Sequence, residues 1–287
     1  MGAGVIEVVR AGPLTTVQDL GRPGHAHLGV PRSGALDAPA LLLANALVGN
    51  DAGAAVLETT LTGCAVVLPA GGLVAVTGAV ARLRLDGADV PSGAPVDVPA
   101  GGRLDVGRAT AGVRSYLAFA GGIDVAPVLG SRSTDTLSGL GPPPLGDGDV
   151  LRIGVRSKRA PALRTRRQPS LAGAEIALTV HLGPRADWFT EAAIRTLLDT
   201  PYAVSPRSNR VGARLAGASL TRVRAGELPS EGVVLGAVQV PADGQPLIFL
   251  ADHPTTGGYP VVAVVADVTP LAQARPGSTV TFHGPQR

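Results

Sequence analysis

The sequence predicts a mainly β protein with few helices, arranged as two β-barrel domains. Three observations point there. From Val56 to Gly154 short apolar runs follow one another, separated by Gly, Pro and Asp, the spacing of an antiparallel barrel or sandwich. Each half opens with a strand, carries one helix and then returns to strands, and the halves close alike, on Gly148-Asp-Val-Leu-Arg-Ile-Gly154 and Gly277-Ser-Thr-Val-Thr-Phe-His-Gly284. Between them, residues 155–173 gather Arg156, Lys158, Arg159, Arg164, Arg166 and Arg167 around Pro161 and Pro169 with no acidic residue, which reads as a solvated linker or long surface loop. The expected domains are therefore 1–154 with one helix, and 174–287, joined by the basic segment.

Composition removes several function classes. With 287 residues the chain can form one large or two ordinary domains. One Trp, three Tyr and four Phe leave no stacking platform for single-stranded nucleic acid, so no nucleic-acid partner is expected. Lys158 is the only lysine, which excludes a P-loop and leaves no plausible Schiff-base residue. Met1 is the only methionine, so the chain has no Ala-Met-Lys-Met biotin attachment site. Cys64 stands alone, so it forms no internal disulfide or zinc thiolate cluster, and its apolar surroundings suit a packed strand residue. No signal-peptide core and no stretch of membrane-spanning length is present, so a cytoplasmic protein without a membrane partner is expected.

Taken in order, residues 5–10 read as a first strand. Thr15-Thr-Val-Gln-Asp-Leu-Gly-Arg-Pro-Gly24 then concentrates Gln18, Asp19 and Arg22 among turn-formers, either as a binding site or as an internally hydrogen-bonded loop. His25 and His27 have a spacing that would put both imidazoles on one strand face, but no third ligand accompanies them, which favours two surface histidines over a metal site. Asp37 is a good N-cap, Pro39 suits a first turn and Gly49 a stop, so 40–48 is a helix. Short strands are expected at 65–68, 73–76, 81–85, 103–106, 113–119 and 149–153. The polar run Leu129-Gly-Ser-Arg-Ser-Thr-Asp135 either lines a pocket or caps turns.

The second half carries most of the candidate chemistry. A strand is expected at 175–182, a helix capped by Thr190 over 191–198, and a strand over 233–240 that carries Gln239. In Ser205-Pro-Arg-Ser-Asn-Arg-Val-Gly-Ala-Arg-Leu215, Pro206 and Gly212 oppose a helix, leaving Arg207, Asn209, Arg210 and Arg214 on an irregular loop or twisted strand. Their guanidinium groups suit bidentate binding of carboxylate or phosphate oxygens. Glu227 and Glu231 flank Pro229-Ser230 and either serve as general base or Mg²⁺ ligand, or neutralise arginines. Asp252-His-Pro-Thr-Thr-Gly-Gly-Tyr-Pro260 lies between two apolar runs and reads as the turn joining a pair of buried strands. Thr255 and Thr256 offer hydroxyls, and Gly257 and Gly258 offer the positive φ that would turn several N–H groups into an anion-binding nest; a hairpin that only reverses the chain is the plainer alternative. Glu231 and Asp252 are the candidate carboxylates for proton transfer. Gln18, Asp19, Arg22, Arg207, Asn209, Arg210, Arg214, Gln239, Thr255, Thr256, Gly257, Gly258 and Tyr259 are the candidate substrate contacts, and no metal ligand is assigned.

Four of these motifs, Thr15–Gly24, Ser205–Leu215, Pro229-Ser-Glu-Gly232 and His253–Pro260, occur together and in order. The chain resembles the KipA family over essentially its whole length, a family that includes the C subunit of 5-oxoprolinase and is also known as allophanate hydrolase subunit 2 or biotin-dependent carboxyltransferase. The resemblance implies cyclophilin-like β-barrel domains and a KipI-like B subunit as partner, with an A subunit completing an ATP-dependent 5-oxoprolinase that opens 5-oxo-L-proline to L-glutamate. ATP and Mg²⁺ are then cofactors of the assembled complex, and no biotin is attached to this chain. Two alternatives follow from the same resemblance: a urea-carboxylase-like carboxyltransferase acting on an amide, and a regulatory protein that binds a KipI-like kinase inhibitor.

Overall fold

The structure, a computed structural model, describes residues 4–156, 175–224, 226 and 228–284; the expected linker beyond Arg156 and Glu227 lie outside the described residues. The chain divides into two compact units, the first comprising residues 1–22, 33–135 and 139–171, the second 23–32, 136–138 and 172–287. Among the described residues strands dominate both, and each holds one α-helix.

In the first unit the strands are β1 (Val5–Arg10), β2 (Thr15–Gln18), β3 (Val56–Thr60), β4 (Ala65–Leu68), β5 (Gly72–Leu85), β6 (Ala88–Val90), β7 (Pro95–Val98), β8 (Gly102–Phe119) and β9 (Val150–Arg152). They form one antiparallel sheet of order β2-β3-β8-β4-β1-β9, with β5 on β8 and the short β6 and β7 on β5. The runs 73–76 and 81–85 are one strand, and so are 103–106 and 113–119. The glycines that suggest breaks in the sequence sit instead where the β5–β8 ladder shifts register, between Gly78 and Leu83. Gly78 has φ 91°, and a Cβ there would lie 2.4 Å from the Arg114 carbonyl oxygen, so only glycine lets the two strands bend together and continue. The bend lets β8 pair with β4 through residues 102–105 and with β3 through residues 114–117.

Strand periodicity then divides the core. Val74, Val76, Leu117 and Phe119 face one apolar cluster with Ile6, Leu57, Val66 and Leu104, while Ala75, Tyr116 and Ala118 face another made with the helix α1 (Ala38–Val48). Asp37 caps α1 by accepting from the Ala40 N–H, and Gly49 ends it in the left-handed conformation, as the sequence predicts. Leu41 and Leu47 are fully buried, each contributing about 1.5–3 kcal/mol by leaving water. Polar groups fix the start of the helix. The Tyr116 hydroxyl donates to Glu58 at 2.8 Å and accepts from the Asp37 N–H at 2.8 Å, and the Leu36 N–H reaches the same Glu58 oxygen at 3.1 Å. Burial, reinforced by the Glu58 charge, pushes the Tyr116 phenol well up, so it stays a neutral donor.

The second unit is a closed barrel of β10 (Glu175–Leu182), β11 (Tyr202–Val204), β12 (Gly212–Ala216), β14 (Ala237–Gln239), β15 (Leu247–Phe249), β17 (Val261–Val265) and β18 (Thr279–His283), ordered β10-β17-β14-β15-β12-β11-β18. The parallel pair β10–β18 closes it. Two further short strands, β13 (Glu231–Gly232) and β16 (Thr256–Gly257), pair with each other. Residues 233–240 are thus not one strand, since 233–236 lie between β13 and β14. Alternation along β10 buries Ile176, Leu178 and Val180, and Tyr202 meets Phe282 edge-on inside the barrel, ring centres 5.9 Å apart. Helix α2 (Glu191–Asp199), capped by Thr190, buries only Ala193 and Leu197, four residues apart on one face. His25 and His27 flank and occupy a 3-10 turn (Ala26–Leu28) rather than a strand. Among the described residues no helix is long and apolar enough to cross a membrane.

Cys64 lies fully buried at the start of β4, where burial pushes its thiol up to about 11. A thiol reagent at pH 8 is expected to leave the native chain unmodified and to label one thiol per chain after denaturation; rapid labelling of the native protein would contradict this packing.

Candidate functional site

The segment Asp252–Pro260 links β15 to β17, but these strands do not form a hairpin: β14 lies between them and pairs with both. The segment is therefore a crossover over the end of β14, and it must be held by contacts of its own. Those contacts occur at its start, middle and end.

At the start, Asp252 is wholly buried and forms a two-pronged ion pair with Arg210, itself 1% exposed, through Nε to Oδ2 at 2.8 Å and Nη2 to Oδ1 at 3.0 Å. The Thr136 N–H and hydroxyl donate to the same Oδ2 at 3.0 and 2.7 Å. Burial alone would raise the Asp252 carboxyl; the Arg210 charge and these hydrogen bonds outweigh it and hold the carboxyl below its ordinary value. An ionised carboxylate with both oxygens engaged is a poor proton acceptor, so the geometry gives Asp252 a bracing task. Backbone contacts continue the brace, with the Asp252 N–H on the Arg210 carbonyl at 3.1 Å and the Leu250 N–H on that of Val211 at 3.0 Å. The neighbouring His253 is buried, and its Nδ1 lies 2.6 Å from the Pro254 carbonyl, which can only accept, so Nδ1 carries the proton.

In the middle, β16 pairs with β13, Gly257 opposite Glu231 and Thr256 opposite Gly232. The Val233 N–H reaches the Thr255 carbonyl at 3.0 Å and the Leu228 N–H that of Gly258 at 3.2 Å. Neither Gly257 nor Gly258 has positive φ. The expected nest of left-handed glycines is therefore not formed; the backbone is extended at Thr256–Gly257 and bends at Gly258 and Tyr259. At Gly257 a Cβ would lie 2.5 Å from Gln239 Nε2, the far end of a side chain that would have to shift to admit one. At the end, Gln239, buried on β14, donates from Nε2 to the Tyr259 carbonyl at 3.0 Å, and the Val240 N–H reaches the Pro260 carbonyl at 3.2 Å. Between these anchors Thr256 and Tyr259 are exposed and Thr255 half-buried, so their hydroxyls are presented on a fixed backbone.

Glu231 pairs with Arg185, a residue that no sequence motif singled out. Arg185 Nε donates to Oε2 at 3.0 Å and Nη2 donates to Oε1, with the two side chains 36% and 33% exposed. The hydrogen bond from Arg185 holds the Glu231 carboxyl below its ordinary range. Arg185 is placed by backbone contacts to the strand that follows the motif, its own N–H on the Val261 carbonyl at 3.2 Å and that of Gly183 on Val262 at 2.8 Å.

The arginine loop is less uniform than its sequence suggests. Arg210 is interior, whereas Arg207 and Arg214 are exposed and make no ion pair among the described residues. Asn209 caps the turn, its Oδ1 accepting from the Val211 and Gly212 N–H groups at 2.9 and 3.2 Å. Thus Arg210, Asp252, Glu231, Gln239 and Thr255–Tyr259 belong to one connected framework, and Arg207 and Arg214 stand on the surface of the loop beside it.

Gln18, Asp19 and Arg22 belong to the first unit and act within it. Asp19 accepts from the hydroxyls of Ser131 and Ser133, both at 2.6 Å, and from the N–H groups of Arg132 at 2.6 Å and Gly21 at 2.8 Å. Gln18 Nε2 donates to the Thr134 carbonyl at 2.9 Å, and Arg22 donates from Nε to the Val128 carbonyl at 3.3 Å and from Nη2 to that of Ser133. The loop 128–135 is thereby folded around them. The same unit contains an open cleft of 1080 Å³ with glycine-rich walls, among them Gly53, Gly72, Gly121 and Gly122, with Asp51 and Arg132 among its charged groups. Among the described residues no group of three or more His, Cys, Asp or Glu is arranged to hold a metal ion.

Because both partners are interior, Arg210→Ala would leave Asp252 buried and uncompensated, and a loss of about 3–5 kcal/mol of stability is expected by chemical denaturation; Arg207→Ala should stay within ~0.5 kcal/mol of the parent. The sign of the pH dependence follows from the lowered Asp252 value. Its stabilisation is present above the unfolded carboxyl value of about 3.9 and is lost as pH falls through the lower folded one. Melting temperature against pH should therefore fall more steeply below pH 4 in the parent than in Asp252→Asn; equal slopes would contradict the assignment.

Comparison with known proteins agrees with this architecture. The family described as carboxyltransferase domain, subdomain A and B, matches residues 28–284. The chain is 44% identical over 283 residues to the C subunit of the 5-oxoprolinase of Escherichia coli, covering 97% of this chain and 90% of that one. It is 35% identical to the urea amidolyase of Saccharomyces cerevisiae, but spans only 16% of that protein. The crystal structure of the K. lactis urea amidolyase superposes with a TM-score of 0.90 at 32% identity, over 98% of this chain and 19% of that one. The chain belongs to the family of carboxyltransferase domains, subdomain A and B.

Proposed function

We propose that the chain is the C subunit of an ATP-dependent 5-oxoprolinase, opening 5-oxo-L-proline to L-glutamate with an A subunit and a KipI-like B subunit, and that it is inactive or only partly active without them. One observation carries the reading: the 44% identity to the C subunit of a 5-oxoprolinase extends over 90% of that protein, so the likeness is to a whole subunit rather than to a piece of a longer enzyme. The geometry suits a lactam. Thr255, Thr256 and Tyr259 present donors from a backbone fixed at three points, as stabilisation of a developing oxyanion requires. In the opening reaction the lactam carbonyl carbon gains the oxygen of water, its bond to nitrogen breaks, and the nitrogen leaves as the amine.

In this proposal ATP and Mg²⁺ belong to the assembled complex. The described residues offer no group of three or more His, Cys, Asp or Glu arranged for the metal, and the sequence has no P-loop. The residues of this chain bind and orient. Arg207 and Arg214 supply exposed positive charge, and Gln239, Arg210 and Asp252 keep the threonine segment in place. The family match and the likeness to urea amidolyase favour a second reading, a carboxyltransferase acting on an amide.

Purified with both of its partner subunits, the chain is expected to release glutamate from 5-oxo-L-proline in an ATP-dependent manner, with Thr256→Val lowering kcat by roughly 10-fold or more, the loss of one hydrogen bond to a charged transition state. No turnover with all three subunits present would sink the reading. Carboxyl transfer from free carboxybiotin to urea would establish the second one.

A further inference from the structure

We infer that Arg185 receives the carboxylate of the substrate, in the place that the Glu231 carboxylate fills in the free chain; the inference rests on the 5-oxoprolinase reading and names the group that would select this lactam. The contact is a fork on a carboxylate, Nε to one oxygen and Nη2 to the other, the geometry by which arginine recognises any planar carboxylate. The pair is partly exposed, at 36% and 33%, so solvent and a small molecule can reach it, unlike Arg210 and Asp252 at 1% and 0%. A pair this exposed contributes little to stability, so one carboxylate can replace another at small cost.

Its backbone is tied to the threonine segment at its middle and just past its end. Glu231 lies opposite Gly257 in the β13–β16 pair, and the Arg185 N–H is bound to Val261 just after the segment. A ligand with its carboxylate on Arg185 would therefore lie along Thr255–Tyr259. Arg222 and Arg224 are otherwise engaged, whereas Arg207 and Arg214 stand on the exposed arginine loop. Arg222 donates from Nη2 to the Val240 carbonyl, and Arg224 pairs with Asp187 at 3.0 Å and lies over the Trp188 ring at 5.8 Å. Urea has no carboxylate, so this contact would separate a carboxylated lactam from a urea on a shared barrel.

The test compares L-5-oxoproline with 2-pyrrolidinone, the same lactam without the carboxylate, using the assembled complex and its Arg185→Met and Arg185→Lys variants. For Arg185→Met the KM for 5-oxoproline should rise by up to roughly 5-fold, the worth of an exposed ion pair, with kinetics on 2-pyrrolidinone unchanged. Arg185→Lys, which keeps the charge and loses the fork, should fall between the two, and it serves as the reporter if the methionine variant fails to fold. Equal losses on both lactams, or no change on either, would overturn the inference while an active parent complex leaves the 5-oxoprolinase reading standing. An inactive parent complex removes that reading, and the inference with it.

Discussion

The buried pair between Arg210 and Asp252 is the interaction on which the candidate site depends. A crossover segment cannot borrow rigidity from a hairpin ladder, and Asp252–Pro260 passes over β14 without one. Its first residue is fixed instead by four hydrogen bonds to one carboxylate, two from Arg210 and two from Thr136. Burying two charges costs several kcal/mol each unless they meet in good geometry with their remaining hydrogen-bonding capacity filled. The two-pronged contact and the threonine supply that geometry, and together they hold the carboxyl below its ordinary range against the desolvation that would raise it. The exposed residues of the segment can then be threonines and a tyrosine chosen for what they touch, because the fold does not rely on their side chains.

Two ion pairs, both formed as forks, thus divide the work by burial. Arg210–Asp252 is sealed, so neither partner is open to a ligand. Arg185–Glu231 is partly exposed and can exchange its carboxylate. Gln239 adds the third restraint from beneath, its Nε2 lying where a Cβ on Gly257 would fall. In the first unit Asp19 follows the sealed pattern. Its carboxylate is filled by two serines and two backbone amides, which turns a suggestive Gln-Asp-Arg cluster into the scaffold of the 128–135 loop.

Much of this was legible in the sequence where the determinant is local. The caps of both helices, Asp37 and Thr190, and the alternating strand β10 are set by residues within a few positions of one another. The turn chemistry of Pro229–Gly232 and of the threonine-glycine segment marks each stretch as irregular, although nothing in either stretch announces that they pair. What local pattern could not show is distance. Thr136 and Arg185 are unremarkable in their own stretches and acquire meaning only when folding brings Asp252 and Glu231 against them, across 116 and 46 residues. Gly78 reads as a break because the bulge that keeps β5 continuous depends on its partner β8. The paired glycines 257 and 258 suggest a nest for the same reason, since the extended backbone at Gly257 depends on its pairing with β13.

A crystal structure of the assembled complex with L-5-oxoproline bound tests the central claim most directly. The account predicts the lactam along Thr255–Tyr259, with Gln239, Arg210 and Asp252 unmoved from their present contacts. Lactam bound instead in the glycine-walled cleft of the first unit, with the threonine segment free of ligand, would contradict it.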